Sequence, residues 1–292
     1  MDSYVFMTDS DSDISYKFVD ENDVQMVYMP YVVDGVEYLD DLGRAGTQKE
    51  YFQKMRQGTA PKTSLLPVSA YLEIFEPHLK AGKDILFIAF SSKMSATQEN
   101  ARAAREEILK AYPDRRIEIV DTLTISRPMA LLVEKAYALF KDGKSMDEVK
   151  TWVEQNRLRS QAWFTVDDLV YLKRGGRISA VAATMGSLMD LKPILTLCKD
   201  GSMAAENKIR GRKAALRYLA DKTAENILDP AGQELIIMHA DAADDAKRLE
   251  DLIRERVPSL GPVKHVFVGP VIGAHAGPGT VASVFMGKER TL

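Results

Sequence analysis

The chain has 292 residues, of which 46% are hydrophobic and 28% charged, a length that suits one large or two moderate domains and a composition able to bury a sizeable core. Formal net charge is -3, with a pI near 5.9 and a mean hydropathy of -0.19, so no global basic field draws the chain to nucleic acid or to an anionic membrane. The single cysteine, Cys198, excludes an internal disulfide; no apolar run approaches the ~20 residues of a membrane-spanning helix, and Met1 to Ser10 lack the features of a signal peptide, so a cytoplasmic location with no integral membrane segment is expected.

Strand-length apolar runs alternate with helix-period stretches. Tyr4 to Met7, Val24 to Val33, Ile85 to Phe90 and Ile117 to Val120 read as strands, and a helix is expected to begin near Pro67. Ser95 to Tyr112 and Pro128 to Lys141 read as helices, the latter stopped by Gly143. Ser145 opens the next helix, with Glu148 at the reciprocal capping position. This alternation predicts a mostly parallel sheet covered by helices. The texture changes beyond about Arg159, where a domain boundary is expected: an N-terminal α/β domain over 1–160 and a smaller α/β domain over 161–292. There the sequence predicts a strand at Ala162 to Val166, a short helix to Lys173 and the Gly175-Gly176 turn. A hairpin is expected about Asp200-Gly201, then a helix over Lys213 to Ile227, a strand over Leu235 to Met238 and a helix over Asp244 to Val257. Val263 to Val271 and Val281 to Met286 read as strands flanking a glycine-rich segment.

The acidic run Asp9-Ser10-Asp11-Ser12-Asp13 has the alternating oxygens of a calcium loop but lacks its glycine, which Ile14 replaces, and its final glutamate, which is Asp20; it reads as an Asp/Ser-rich turn and no metal is assigned. Gly277, Gly279 and Ala282 fit a dinucleotide-binding spacing, but a strand rather than a helix follows them. There is neither a phosphate loop nor a G-x-S-x-G nucleophile elbow.

Ser91-Ser92-Lys93-Met94-Ser95-Ala96-Thr97 stands at the carboxyl end of a predicted central strand and opens a helix, where open α/β sheets collect ligands and backbone N–H groups suit an anion. On this stretch alone Ser95 reads first as a helix cap, with Gln98 three residues on, and that role is compatible with binding a ligand. Pro61-Lys62-Thr63-Ser64 supplies a second hydroxyl pair ahead of a helix. His275, in Gly273-Ala274-His275-Ala276-Gly277-Pro278-Gly279, reads either as a turn residue or as a ligand-facing histidine.

In combination these segments resemble the DegV family, in order and through almost the whole chain. The matching pieces are Thr8-Asp9-Ser10, Pro61-Lys62-Thr63-Ser64, Ser91 to Thr97, Lys173-Arg174-Gly175-Gly176-Arg177-Ile178-Ser179, Lys192-Pro193-Ile194-Leu195 and the His275 glycine segment; Tyr171 to Ser179 is the most diagnostic. The resemblance implies a two-domain α/β fold holding a long-chain fatty acid between the domains, with no other cofactor. It implies a non-catalytic carrier in phospholipid metabolism that presents the carboxylate to a separate ATP-dependent fatty-acid kinase, which forms the acyl phosphate. By position Thr63, Ser95 and His275 would bind the carboxylate, with Ser64, Ser92, Thr97 and Arg127 near the head group and Arg177 docking the partner. A serine-dependent acyl hydrolase or transferase using Ser95 and His275, and a lipid-free regulatory member of the family, are the alternatives. The chain departs from the family pattern at Ala96, at Leu65 and Leu66, and at Arg127-Pro128, which bears on the ligand more than on the fold.

Overall fold

The computed structural model describes residues 4–177 and 191–292; Ile178 and Ser179 of the diagnostic segment lie outside the described residues. The first half of the chain builds a four-stranded parallel sheet in the order β2-β1-β6-β7, from β1 (Tyr4–Asp9), β2 (Gln25–Val27), β6 (Asp84–Ala89) and β7 (Ile117–Asp121). Val5 to Met7 and Ile85 to Ala89 are buried throughout, as strands covered on both faces should be. Alternate side chains point to opposite faces. Phe6, Leu86 and Ile88 pack with α5 (Ser126–Lys141) and α6 (Met146–Asn156), whereas Met7, Ile85 and Phe87 pack with α3 (Val68–Lys80) and α4 (Thr97–Ile108). Ser145 caps α6 in a reciprocal box with Glu148, as predicted.

Between β2 and α3 the chain inserts a three-stranded antiparallel sheet of β3 (Pro30–Val33), β4 (Val36–Leu39) and β5 (Lys62–Thr63), with α2 (Gln48–Arg56) between β4 and β5. The helix α1 (Tyr16–Asn22) joins β1 to β2. The single strand predicted over Val24 to Val33 is therefore two, separated at Tyr28-Met29, where the Met29 N–H leaves the ladder to donate to Ser10 Oγ. Neither the β3–β4 hairpin nor α2 is predicted from the sequence, although Asp34-Gly35 at the hairpin tip, both at positive φ, is a strong turn signal.

The second half forms a six-stranded mixed sheet in the order β10-β9-β8-β13-β11-β12. Its strands are β8 (Ser160–Thr165), β9 (Leu191–Leu197), β10 (Met203–Arg210), β11 (Leu235–His239), β12 (Val263–Phe267) and β13 (Val281–Met286); the β11–β12 pair is parallel and the others antiparallel. One face packs on α8 (Arg212–Asn226) and α9 (Ala243–Arg256). The other meets α2, α7 (Val170–Arg174) and α10 (Pro270–Ala276). The strand predicted over Val263 to Val271 stops at Phe267, because Gly269 and Pro270 start α10 with proline in its first turn, so the segment read as glycine-rich and carrying His275 is largely helical.

Candidate functional site

The parallel sheet runs 2-1-3-4 when its strands are counted in chain order, so the connections diverge between β1 and β6, and ligands of such sheets bind in the crevice at the carboxyl ends of the diverging strands. A cavity of about 360 Å³ opens there, within the roughly 300–1,000 Å³ range of small-molecule sites. The first half of the chain contributes Asp11 after β1, Phe90, Met94 and Ser95 after β6, and Ile125 after β7. Facing them are Phe164 of β8, Leu172 of α7, Met203 of β10 and Ile272 of α10. Leu65, 44% exposed, lies at the mouth.

Thr63, Ser95 and His275, expected to act together, all line this cavity, as do Ser64, Thr97 and Arg177. Thr63 stands on β5, and its Oγ1 lies 2.9 Å from His275 Nε2. His275 Nδ1 is buried without a partner among the described residues, and Gly175 backs onto it: a Cβ built at Gly175 would fall 2.0 Å from that nitrogen. An unpaired buried acceptor is tolerated better than an unpaired N–H, which places the ring proton on Nε2, donated to Thr63 Oγ1. The Thr63 hydroxyl then keeps its own proton for a ligand. Burial, reinforced by Arg177, pushes His275 down to about 4, so the ring is neutral at pH 7.

Ser95 is not the N-cap of α4. Ala96 occupies that position, while Ser95 Oγ lies 2.7 Å from Thr97 Oγ1 and accepts from the Thr97 N–H at 3.3 Å. Gln98, read as the reciprocal capping partner, instead donates from Nε2 to the Phe90 carbonyl at 2.5 Å and ties the loop to the end of β6. Arg177 donates from Nε and Nη2 to the Met94 carbonyl, at 3.3 and 3.2 Å, and from Nη1 to the Gly175 carbonyl, at 2.5 Å. The residue expected to dock a partner thus fastens the Ser91–Ala96 loop to the turn that supports His275.

Two expected head-group neighbours lie elsewhere. Ser92 is exposed in an adjoining open groove of about 380 Å³, which shares Met94, Ser95, Ala96, Arg177 and Met203 with the cavity. Arg127 is buried in α5, donating to Glu134 Oε1 at 2.9 Å and to the Asp13 carbonyl at 3.4 Å, so it neither intrudes on the cavity nor faces a ligand there. Asp11 is a lining residue that the sequence reading, which took Asp9 to Asp13 for an ordinary turn, misses.

Fold and site together define an α/β protein with a largely apolar cavity, lined from both halves of the chain, that also presents hydroxyls and a neutral imidazole. The chain belongs to the DegV family: the family model described as "Uncharacterised protein, DegV family" matches residues 4–288. The chain is 40% identical to a DegV domain-containing protein of Clostridium perfringens, over 99% of each chain. It is 33% identical to one from Streptococcus pyogenes serotype M1, over 98% of this chain and 99% of the relative. Its fold is similar to that of a Thermus thermophilus structure described as the fatty acid binding of a DegV family protein, with 28% identity and a TM-score of 0.82 over 97% of this chain and 99% of that one. It is similar also to a fatty acid binding DegV family protein from Streptococcus agalactiae, with 25% identity and a TM-score of 0.84 over 98% and 99%. Among the described residues no helix is long and apolar enough to cross a membrane.

Proposed function

We propose that the protein binds a long-chain fatty acid between an N-terminal domain (1–160) and a C-terminal domain (161–292), gripping its carboxylate with the hydroxyls of Thr63 and Ser95, the first of them oriented by His275, and presents it to a separate ATP-dependent kinase that forms the acyl phosphate. The observation that carries this reading is a largely apolar cavity at the sheet's switch point that is lined both by the Thr63–His275 pair, with its imidazole neutral, and by the Ser95–Thr97 hydroxyl pair. Burying an acyl chain is worth up to ~0.8 kcal/mol per methylene, on the order of 10 kcal/mol for a long tail before ordering costs. The carboxylate needs compensation once out of water, which hydroxyl donors supply. The Thermus thermophilus and Streptococcus agalactiae relatives, described by their fatty acid binding, support the same ligand class.

A carrier role is favoured over acyl hydrolysis because Ser95 Oγ pairs with Thr97 rather than His275, and among the described residues no group orients His275 Nδ1, so none of them fills the places of base and third member of a triad on Ser95. The open groove against Ser95 gives a partner's phosphoryl donor a path to the head group, and Arg177, at the junction of groove and cavity, is the residue whose loop the partner would touch. Mass spectrometry of the purified protein under native conditions and after organic extraction should reveal one fatty acid per chain. A protein that is empty and also ignores added fatty acid refutes the ligand; one that binds it but yields no acyl phosphate with any ATP-dependent kinase partner refutes the presentation step.

A further inference from the structure

Asp11 stands on the 3-10 turn Ser10–Ser12 that leaves β1, is 5% exposed, and lines the same cavity as Thr63, Ser95 and His275. Its Oδ1 is buried with no hydrogen-bond partner among the described residues. The groups around it are largely engaged: Ser10 Oγ accepts from the Met29 N–H, Asp9 Oδ2 from the Phe90 N–H, and Asp13 Oδ1 from the Gly269 N–H. Asp9 Oδ1 is likewise unpartnered among the described residues, but of the two only Asp11 lines the cavity, and an unpartnered carboxyl oxygen on a lining residue is a place made for a ligand's hydrogen bond.

The charges facing Asp11 come from every side. Asp9 and Asp13 share its turn, Asp40 approaches from the segment after β4, and Tyr71 of α3 feels both Asp9 and Asp11. Arg177 is the opposing cation, with its nitrogens held by the Met94 and Gly175 carbonyls, and His275 is neutral. Burial first, then the three carboxylates, raise Asp11 well above the usual carboxylate range, against the lowering effect of Arg177.

Resting on the fatty-acid reading above, we propose that Asp11 keeps its proton in the cavity and donates it to the carboxylate of the bound acid, so that Asp11 and the head group share a single proton. Two carboxylates brought together in a low-dielectric site cannot both be ionised, and one proton between them turns repulsion into a charge-assisted hydrogen bond. The proton is already on Asp11 in the empty site and is neither consumed nor released when the acid enters. It also fixes the preferred head group: an anionic oxygen acceptor matches the Asp11 donor, and the ligand stays a carboxylate, the form that attacks phosphorus.

The test is equilibrium binding of oleic acid at pH 7 to the full chain and to Asp11→Asn and Asp11→Ala, with thermal melts to confirm folding. Asn keeps a donor in the same shape, so Asp11→Asn should bind as the parent does, and Asp11→Ala should bind about tenfold to about a hundredfold more weakly. Tighter binding by both variants would mean that Asp11 is ionised and repels the ligand. Unchanged binding by both would put Asp11 away from the head group, and equal weakening of both folded variants would remove the donor role; each of these overturns the proposal. If a variant does not fold, infrared spectra of the parent decide: its protonated-carboxyl band should shift when oleic acid is added, and a band unmoved by a bound ligand overturns the proposal. A parent that binds no fatty acid at all fails the functional reading instead.

Discussion

The two walls of the cavity are built on different principles. The wall at the ends of the parallel strands and β5 supplies the hydroxyls of Thr63, Ser95 and Thr97 and the Asp11 carboxyl, at the end of a strand, on a connection after one, or at the first residue of a helix. The wall from the mixed sheet supplies Phe164, Leu172 and Met203, which belong at the same time to that half's buried core. Between these two sets binding chemistry and folding energy are separated: the hydroxyls and Asp11 can be changed at the expense of ligand, and Phe164, Leu172 and Met203 only at the expense of the fold.

The separation can be broken by substitution. Phe164→Ala on the mixed-sheet wall should cost about 3 kcal/mol of unfolding free energy in a denaturant titration, the usual toll of emptying a packed aromatic site; a loss confined to ligand affinity would erase the distinction. Thr63→Ala and Ser95→Ala should each weaken fatty-acid binding by about 1 to 3 kcal/mol, the cost of an unmatched buried polar group, while leaving the denaturation midpoint nearly unmoved. Unchanged affinity in both would sink the head-group assignment. Gly175→Ala probes the seam between the walls, since its methyl must displace the His275 ring; affinity should drop about tenfold by isothermal titration, while replacement of the exposed neighbour Lys173 by Ala should have no effect on it.

The smallest effect is one of pH. Asp9 is raised to about 7 by burial, above its ordinary 3.8, so between those values the folded chain holds a proton that the unfolded chain has lost. Its stabilising share is therefore fully present below 3.8 and lost as pH rises through about 7. The parent should gain on the order of 1 kcal/mol relative to Asp9→Asn when melts are moved from pH 7 to pH 6. His275, lowered to about 4, acts in the opposite sense, so its share is lost as pH falls from 6.5 toward 4. A parent and variant whose stabilities track each other across this range would show Asp9 to be ionised throughout.

Local chemistry made much of this architecture readable in the sequence. The apolar runs of β1 and β6, the Ser145–Glu148 box and the Asp200-Gly201 turn are each specified by neighbouring residues, and the structure contains all of them. What could not be read depends on distant partners. Asp11 looks like part of a solvated turn until Met29 and Gly269, far along the chain, close over that turn. Arg127 looks available until Glu134 and the Asp13 carbonyl take its guanidinium. The α10 helix hides in glycine and alanine, although Pro270 at its start and Gly277, at positive φ just past its end, are the helix-boundary signals that could have found it.

The most direct test of the central claim is a crystal structure of the protein grown with oleic acid. The carboxylate should lie within hydrogen-bonding distance of the Thr63 and Ser95 hydroxyls, with the tail running along Phe164, Leu172 and Met203. A carboxylate lodged elsewhere, or a cavity left without lipid at saturating ligand, would contradict the account.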